Sequence, residues 1–146
     1  MAVELSLENA RSWYPAPDTV HGFDHVERVY RMAERLALAE QADVEIVLAA
    51  ALLHDAVGAD PAGEAQRKQH HFASAEFAAR ILDANGWPQP RIAAVQHCIR
   101  AHRYRSTEIP QTLEAKVLFD ADKLDVLGAI GTARTIAYAV QAGQPV

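Results

Sequence analysis

Asp43-Val44-Glu45-Ile46-Val47-Leu48-Ala49-Ala50-Ala51-Leu52-Leu53-His54-Asp55 is the stretch that decides the fold. From Val44 to Leu53 it is apolar nearly all round, and a helix without a polar face belongs in the centre of a fold. Asp43 is placed to cap its start, because a short carboxylate accepts the backbone N–H groups a helix leaves unpaired. The helix is expected to end at His54-Asp55-Ala56-Val57-Gly58, where Gly58 can supply a left-handed terminus.

Helical period continues on both sides. Residues 4–14 form a short separate helix in this reading, cut off by Pro15 and Pro17. Between Asp24 and Glu40, Val26, Val29, Ala33, Leu36 and Ala37 define one buried face. Residues 59–69 are small and polar and read as a loop. Phe72, Ala75, Ala79 and Leu82 mark a further helix, stopped by Asn85-Gly86 and Pro88. Ile92, Val95 and Ile99 mark the next, running to His102. Thr112 caps a helix carrying Leu113, Val117, Ala121 and Leu124, and a last one spans Ile130 to Gln141. No segment alternates with period two, so the fold class is all-α: a compact bundle of about six or seven helices.

The chain has 146 residues, half of them apolar, which suits one domain with a real core. Its 14 Lys and Arg against 19 Asp and Glu give a net charge of −5, the wrong sign for wrapping a nucleic acid polymer. The single cysteine, Cys98, allows no intramolecular disulfide and points to a reducing compartment. Met1-Ala2-Val3-Glu4 lacks the features of a signal peptide, and Ile46–Leu53 is too short to span a bilayer. A soluble cytoplasmic domain without a membrane partner is the expectation.

Three stretches carry candidate chemistry. His54 and Asp55, adjacent at a helix end, can turn toward one point, and an imidazole with a carboxylate suits a borderline divalent ion. They can equally be a core histidine beside a capping carboxylate. His25 sits in the first turn of its helix, in line with Val29, Met32 and Leu36, so it points inward, where an unpaired imidazole is costly. His21 lies outside that helix and is read as solvent-facing or as support for a ligand. Phe119-Asp120-Ala121-Asp122-Lys123-Leu124-Asp125 puts three carboxylates into an otherwise apolar helix, expensive unless paired or bound to a cation. Helical phase leaves the choice among them open: Asp120 follows the Val117 and Leu124 stripe, whereas Asp122 aligns with Leu118 and Asp125.

His, then His-Asp, then Asp, on three separate helices, resembles the HD-domain superfamily of metal-dependent phosphohydrolases, above all its small single-domain bacterial branch. His25-Val26-Glu27-Arg28-Val29, Leu52-Leu53-His54-Asp55 and Asp120 through Gly131 carry the resemblance, which extends over His71 to Tyr104. It implies a metal held by His25, His54, Asp55 and Asp122. Asp122 is chosen because the matching aspartate follows alanine and precedes a basic residue and leucine. Asp120 and Asp125 then orient ligands or hold Lys123. Members of this family usually continue for several helices past the point matching Gln141 to Val146, so the chain is expected to lack them.

Two imidazoles and two carboxylates leave open positions for water and a phosphoryl oxygen on a six-coordinate ion. One divalent transition metal is expected, Mn favoured among Mn, Fe, Co, Ni and Zn, because imidazole is a poor Mg ligand. Asp55 and Asp60 are the candidate catalytic carboxylates, Asp60 as general base. Arg28 and Lys123 either hold substrate phosphate or pair with Asp125 and Asp120. His70, His71, His97 and His102, with Arg100, Arg103 and Arg105, form either a phosphate cradle or a solvated basic helix end. His71 and His97 (or His102) also stand where dinuclear members insert two further histidines, so a second metal is an alternative. Cys98 is read as a core residue.

The function expected is hydrolysis of a phosphate ester or anhydride of a small molecule, a nucleotide by resemblance. The rivals are a dinuclear iron oxygenase or phosphodiesterase on the same scaffold, and a non-catalytic sensor with a structural metal. Apolar helix faces leave room for a homodimer.

Overall fold

The computed structural model describes residues 4–14, 22–57 and 64–145, with the backbone alone at 64–68. Among them run seven α-helices and no strand: α1 (Leu7–Ala10), followed by a 3-10 turn at Arg11–Trp13, α2 (Phe23–Glu40), α3 (Val44–Leu53), α4 (Glu64–Ala84), α5 (Gln89–Ala101), α6 (Leu113–Leu124) and α7 (Gly128–Gln141). His21, Gly58 and Asp60 lie outside the described residues.

The all-apolar helix is the hub. α3 packs against α1, α2, α4, α5 and α6, while α2 also meets α6, and α5 also meets α4 and α6. Seven of its ten residues are buried, Leu52 and Leu53 completely. Each such leucine contributes about 1.5–3 kcal/mol by leaving water. The core elsewhere is rich in alanine (Ala33, Ala37, Ala75, Ala78, Ala115 and Ala121), so neighbouring helices can approach closely. Close approach matters here because the side chains that meet above α3 are short.

Capping fixes where the elements begin. Asp43 accepts from the Ile46 amide at 3.2 Å, and Thr112 Oγ1 from the Ala115 amide at 3.2 Å. Asp43 also takes Arg91 at 2.8 Å, which ties the start of α3 to α5. Its lowered pKa follows first from that guanidinium.

Two expectations need correcting. The segment 59–69 is not a loop throughout, since α4 already begins at Glu64. Small size and polarity suggested a loop, but Glu64-Ala65-Gln66-Arg67-Lys68 are all strong helix formers. His71, expected from the same reading to begin the helix, therefore lies well inside α4.

α7 follows a sharp turn. Gly128 has φ +71°, a conformation that favours glycine. A Cβ on Gly131 would stand 2.0 Å from the Val126 carbonyl carbon and oxygen, so only glycine lets α7 fold back this closely. Gly131 is also the sole buried residue of α7. Among the described residues no helix is long and apolar enough to cross a membrane.

Candidate metal centre

The end of α3 delivers His54 and Asp55 to the centre of the bundle, both buried. His54 Nδ1 donates to the Ala51 carbonyl at 2.8 Å, one turn back along its own helix. A carbonyl can only accept, so Nδ1 carries a proton and Nε2 faces forward, a donor while protonated and a ligating lone pair once that proton leaves. His102, at the end of α5, repeats the device with the Ile99 carbonyl at 2.5 Å. His25, in the first turn of α2, gives its Nδ1 proton to Asp125 Oδ2 at 2.6 Å. Three imidazoles thus have Nδ1 occupied and Nε2 turned toward a common centre.

Around that centre, His25 Nε2 is 3.2 Å and His54 Nε2 3.6 Å from Asp122 Oδ1. His54 Nε2 is 3.4 Å and His25 Nε2 3.9 Å from Asp55 Oδ2. His25, His54, Asp55 and Asp122 are therefore gathered from α2, the end of α3, and α6. On the far side of Asp55, His70 Nε2 from α4 and His102 Nε2 stand 3.2 and 3.4 Å from Oδ1. Ser74 of α4 donates to the Val57 carbonyl and accepts from the Val57 amide, both at 3.2 Å, which holds the chain just past Asp55.

The charge state follows from burial set against attraction. Burial alone would lower the His54 imidazole, yet the carboxylates of Asp55 and Asp122 raise its pKa to about 9. Burial alone would raise Asp55, but the imidazoles of His54, His102 and His70 hold it well below the usual carboxylate range. Asp122 is likewise depressed against its burial, by His25 and His54. His102 moves down, because its burial outweighs the pull of Asp55.

These residues fit a divalent metal ion. His54 Nε2 and Asp55 Oδ1 are buried and make no properly aligned hydrogen bond, a costly state for polar atoms in a core. Nε2 of His25 and His54 with an Asp122 oxygen lie within 4.8 Å of one another, as do donor atoms of His54, Asp55 and His102. Two carboxylates facing imidazoles that prefer to be protonated form a place that favours a cation. Mixed imidazole and carboxylate donors suit a transition ion.

Asp125 supports the cluster from behind. Besides His25 it accepts from Arg28 Nε at 2.8 Å and Nη2 at 3.1 Å, and it pairs with Arg134 of α7 at 3.0 Å. Burial would raise this carboxyl, but His25 and Arg28 hold its pKa at about 2. Arg28 is thus on Asp125 and, at 2.9 Å, on Asp24. Lys123 bonds the Asp122 carboxylate and the His102 carbonyl.

Other expected site residues lie elsewhere. Asp120 is exposed, and it is Asp122 that Lys123 meets. His97 is not brought to the cluster: its Nδ1 bonds Glu108 at 2.7 Å and its Nε2 accepts from the Gln111 amide at 3.1 Å. Arg100 joins the same carboxylate at 2.8 Å. His71 is buried next to His70, and burial followed by the charge of His70 lowers its pKa to about 4. The histidines that flank Asp55 are therefore His102, expected as the alternative to His97, and His70 in place of His71. The sequence singles out His70 without assigning it to the cluster, although its spacing from the buried Ser74 and Ala78 puts it on the inner face of α4.

The cluster opens into a cavity of about 280 Å³. Arg103, Lys123 and Arg134 line it together with Asp55, Asp122 and Tyr138.

The HD domain family matches residues 22–127, a span that contains every residue of the cluster. The chain belongs to the HD-domain family. Its HD fold superposes on a predicted HD superfamily hydrolase from an uncultured Thermotogales bacterium with a TM-score of 0.74. The two are 33% identical over 90% of this chain and 72% of that one. A Lactobacillus plantarum protein gives a TM-score of 0.71 at 32% identity, over 94% of this chain and 62% of its own. The uncharacterized protein YpgQ of Bacillus subtilis is 29% identical over 140 residues, 90% of this chain. Its crystal structure in complex with ADP superposes with a TM-score of 0.69. The chain spans 65% of the length of YpgQ.

Proposed function

We propose that this HD domain is a metal-dependent phosphohydrolase that cleaves a phosphate ester or anhydride of a small molecule, a nucleotide being the favoured class. The observation that carries the proposal is the joint placement of His25, His54, Asp55 and Asp122 beside a cavity whose lining includes Arg103, Lys123 and Arg134. The ADP held by YpgQ supports the nucleotide class.

His25, His54, Asp55 and Asp122 would hold one divalent metal, with Mn favoured. When bound, the metal supplies Lewis acidity and lowers the pKa of water. The chain's own groups do the rest. Arg103 and Lys123 line the cavity where phosphoryl oxygens would lie, and cationic donors stabilise the charge that builds there as the bond to the leaving group breaks. Lys123 also keeps Asp122 in place. Asp125, by holding Nδ1 of His25, keeps Nε2 aimed at the centre. No side-chain nucleophile is required, and Cys98 is buried away from the cavity with its thiol pushed up to about 12 by burial.

His70 and His102 support a second reading, a dinuclear site, because they flank the oxygen of Asp55 that His25 and His54 leave free. Metal counting distinguishes the two readings, since one equivalent favours the first and two the second.

The test is phosphate release by Mn-loaded protein across nucleotides and sugar phosphates, with Asp55→Ala alongside. Release that falls by at least about a thousandfold in a folded Asp55→Ala variant is expected for a ligand lost from the reacting centre. Oxygen uptake by an iron-loaded form without phosphate release would overturn the proposal.

A further inference from the structure

The cavity over the cluster has two chemically different walls. One is built by ionisable groups: Asp55, Asp122, His70, His102, Arg103 and Lys123. The other comes from α7 and the turn before it, through Val126, Thr135 and Tyr138, with Arg134 among them turned onto Asp125 at 3.0 Å. Thr135 spends its hydroxyl proton on the Gly131 carbonyl at 2.9 Å, so it donates nothing further to a ligand. Tyr138 gives this wall an aromatic ring. A phosphate has no use for such a surface, whereas a flat π-system attached to the phosphate does.

The second wall is fixed in register with the first. Gly131 seats α7 against the Val126 backbone, with no room for a side chain between them. Arg134 then reaches Asp125 at 3.0 Å, the same carboxylate that bonds His25 at 2.6 Å. A single carboxylate therefore sets both the orientation of a metal ligand and the position of the aromatic wall. The volume of about 280 Å³ is near the lower end of small-molecule sites.

From this arrangement we infer that the inner face of α7, Tyr138 with Thr135 and Val126, is the subsite for the planar base of a nucleotide whose phosphates lie at the cluster. The inference rests on the phosphohydrolase reading for the phosphate end and goes beyond it in assigning the base end. It makes α7 the element that selects nucleotides over sugar phosphates and inorganic polyphosphates. The contribution of Tyr138 is a stacking face, so its ring matters and its hydroxyl does not.

Binding measured without turnover keeps the two readings apart. Calorimetry with ADP and with inorganic pyrophosphate is run on the Mn-loaded chain as wild type, Tyr138→Ala and Tyr138→Phe, each checked for an unchanged helical spectrum. Tyr138→Ala is expected to weaken ADP roughly tenfold or more, the size of a lost base–aromatic stack. Tyr138→Phe keeps ADP within about twofold, and pyrophosphate, which has no base, is held alike by all three. Unaltered ADP affinity in Tyr138→Ala would overturn the assignment. So would an equal loss of both ligands, which would make Tyr138 a prop for the cluster, and so would a wild type that binds pyrophosphate but not ADP. A wild type that binds both and releases phosphate from nothing would instead remove the hydrolase reading and leave the base subsite standing.

Discussion

At the residue scale the centre is governed by which nitrogen of each histidine is already spoken for. His54 and His102 lose Nδ1 to a carbonyl three residues back, and His25 loses it to Asp125. Asp125→Asn keeps the shape but removes the charge that Arg28, Arg134 and His25 share. Metal affinity is expected to fall about 10- to 100-fold, read by competition with a coloured chelator. An unchanged affinity would mean that His25 holds its orientation without this carboxylate. The sequence pointed inward at His25 from its place on the Val29 stripe, and the structure buries it. Helical phase could not choose between Asp120 and Asp122, because a stripe shows which residues share a face and not which face meets the cluster. The place of His97 is hidden for a related reason: its partner Glu108 lies eleven residues on, across an irregular segment that no periodicity describes.

At the scale of elements, α3 was the most legible part of the chain. Ten residues with no polar face can only be central, and the five helices packed around α3 follow from that. Leu53→Ala is expected to cost about 2–5 kcal/mol in chemical denaturation, since Leu53 is fully buried in a core that has little room to collapse. A loss below about 1 kcal/mol would show that the alanine-rich neighbours close the gap. The start of α4 was less legible, because small polar residues serve loops and helix surfaces equally well. The relation of α7 to the cluster could not be read at all, since Arg134 and Asp125 meet by virtue of a turn geometry set by Gly128 and Gly131.

For the molecule as a whole, the charges gathered at the centre predict how metal-free protein responds to pH. His54 is raised to about 9 in the fold, against an ordinary value of 6.5. Between those two values the native state holds a proton that the unfolded chain has released, so rising pH removes stability. The stabilising share of His54 is complete below about 6.5 and is lost as pH rises through 9. Asp55 and Asp122 act in the opposite sense, and their share disappears only in acid, below the ordinary carboxylate range. Chelator-stripped protein is therefore expected to melt at lower temperature at pH 9 than at pH 6.5. Metal-loaded protein should reverse that trend, because the ion replaces the proton and binds better once it has gone. Parallel melting curves for the two forms would contradict the assignment of a cation to this centre.

Cys98 offers a view of the same molecule in time. Its sulfur has no exposure to solvent, and burial pushes its thiol up to about 12. Only the thiolate reacts, so alkylation has to wait until α5 parts from its neighbours. The labelling rate in dilute reagent is then a clock for opening events, and saturating metal is expected to slow it. Labelling as fast as that of a free cysteine in the native protein would show that α5 opens without the rest.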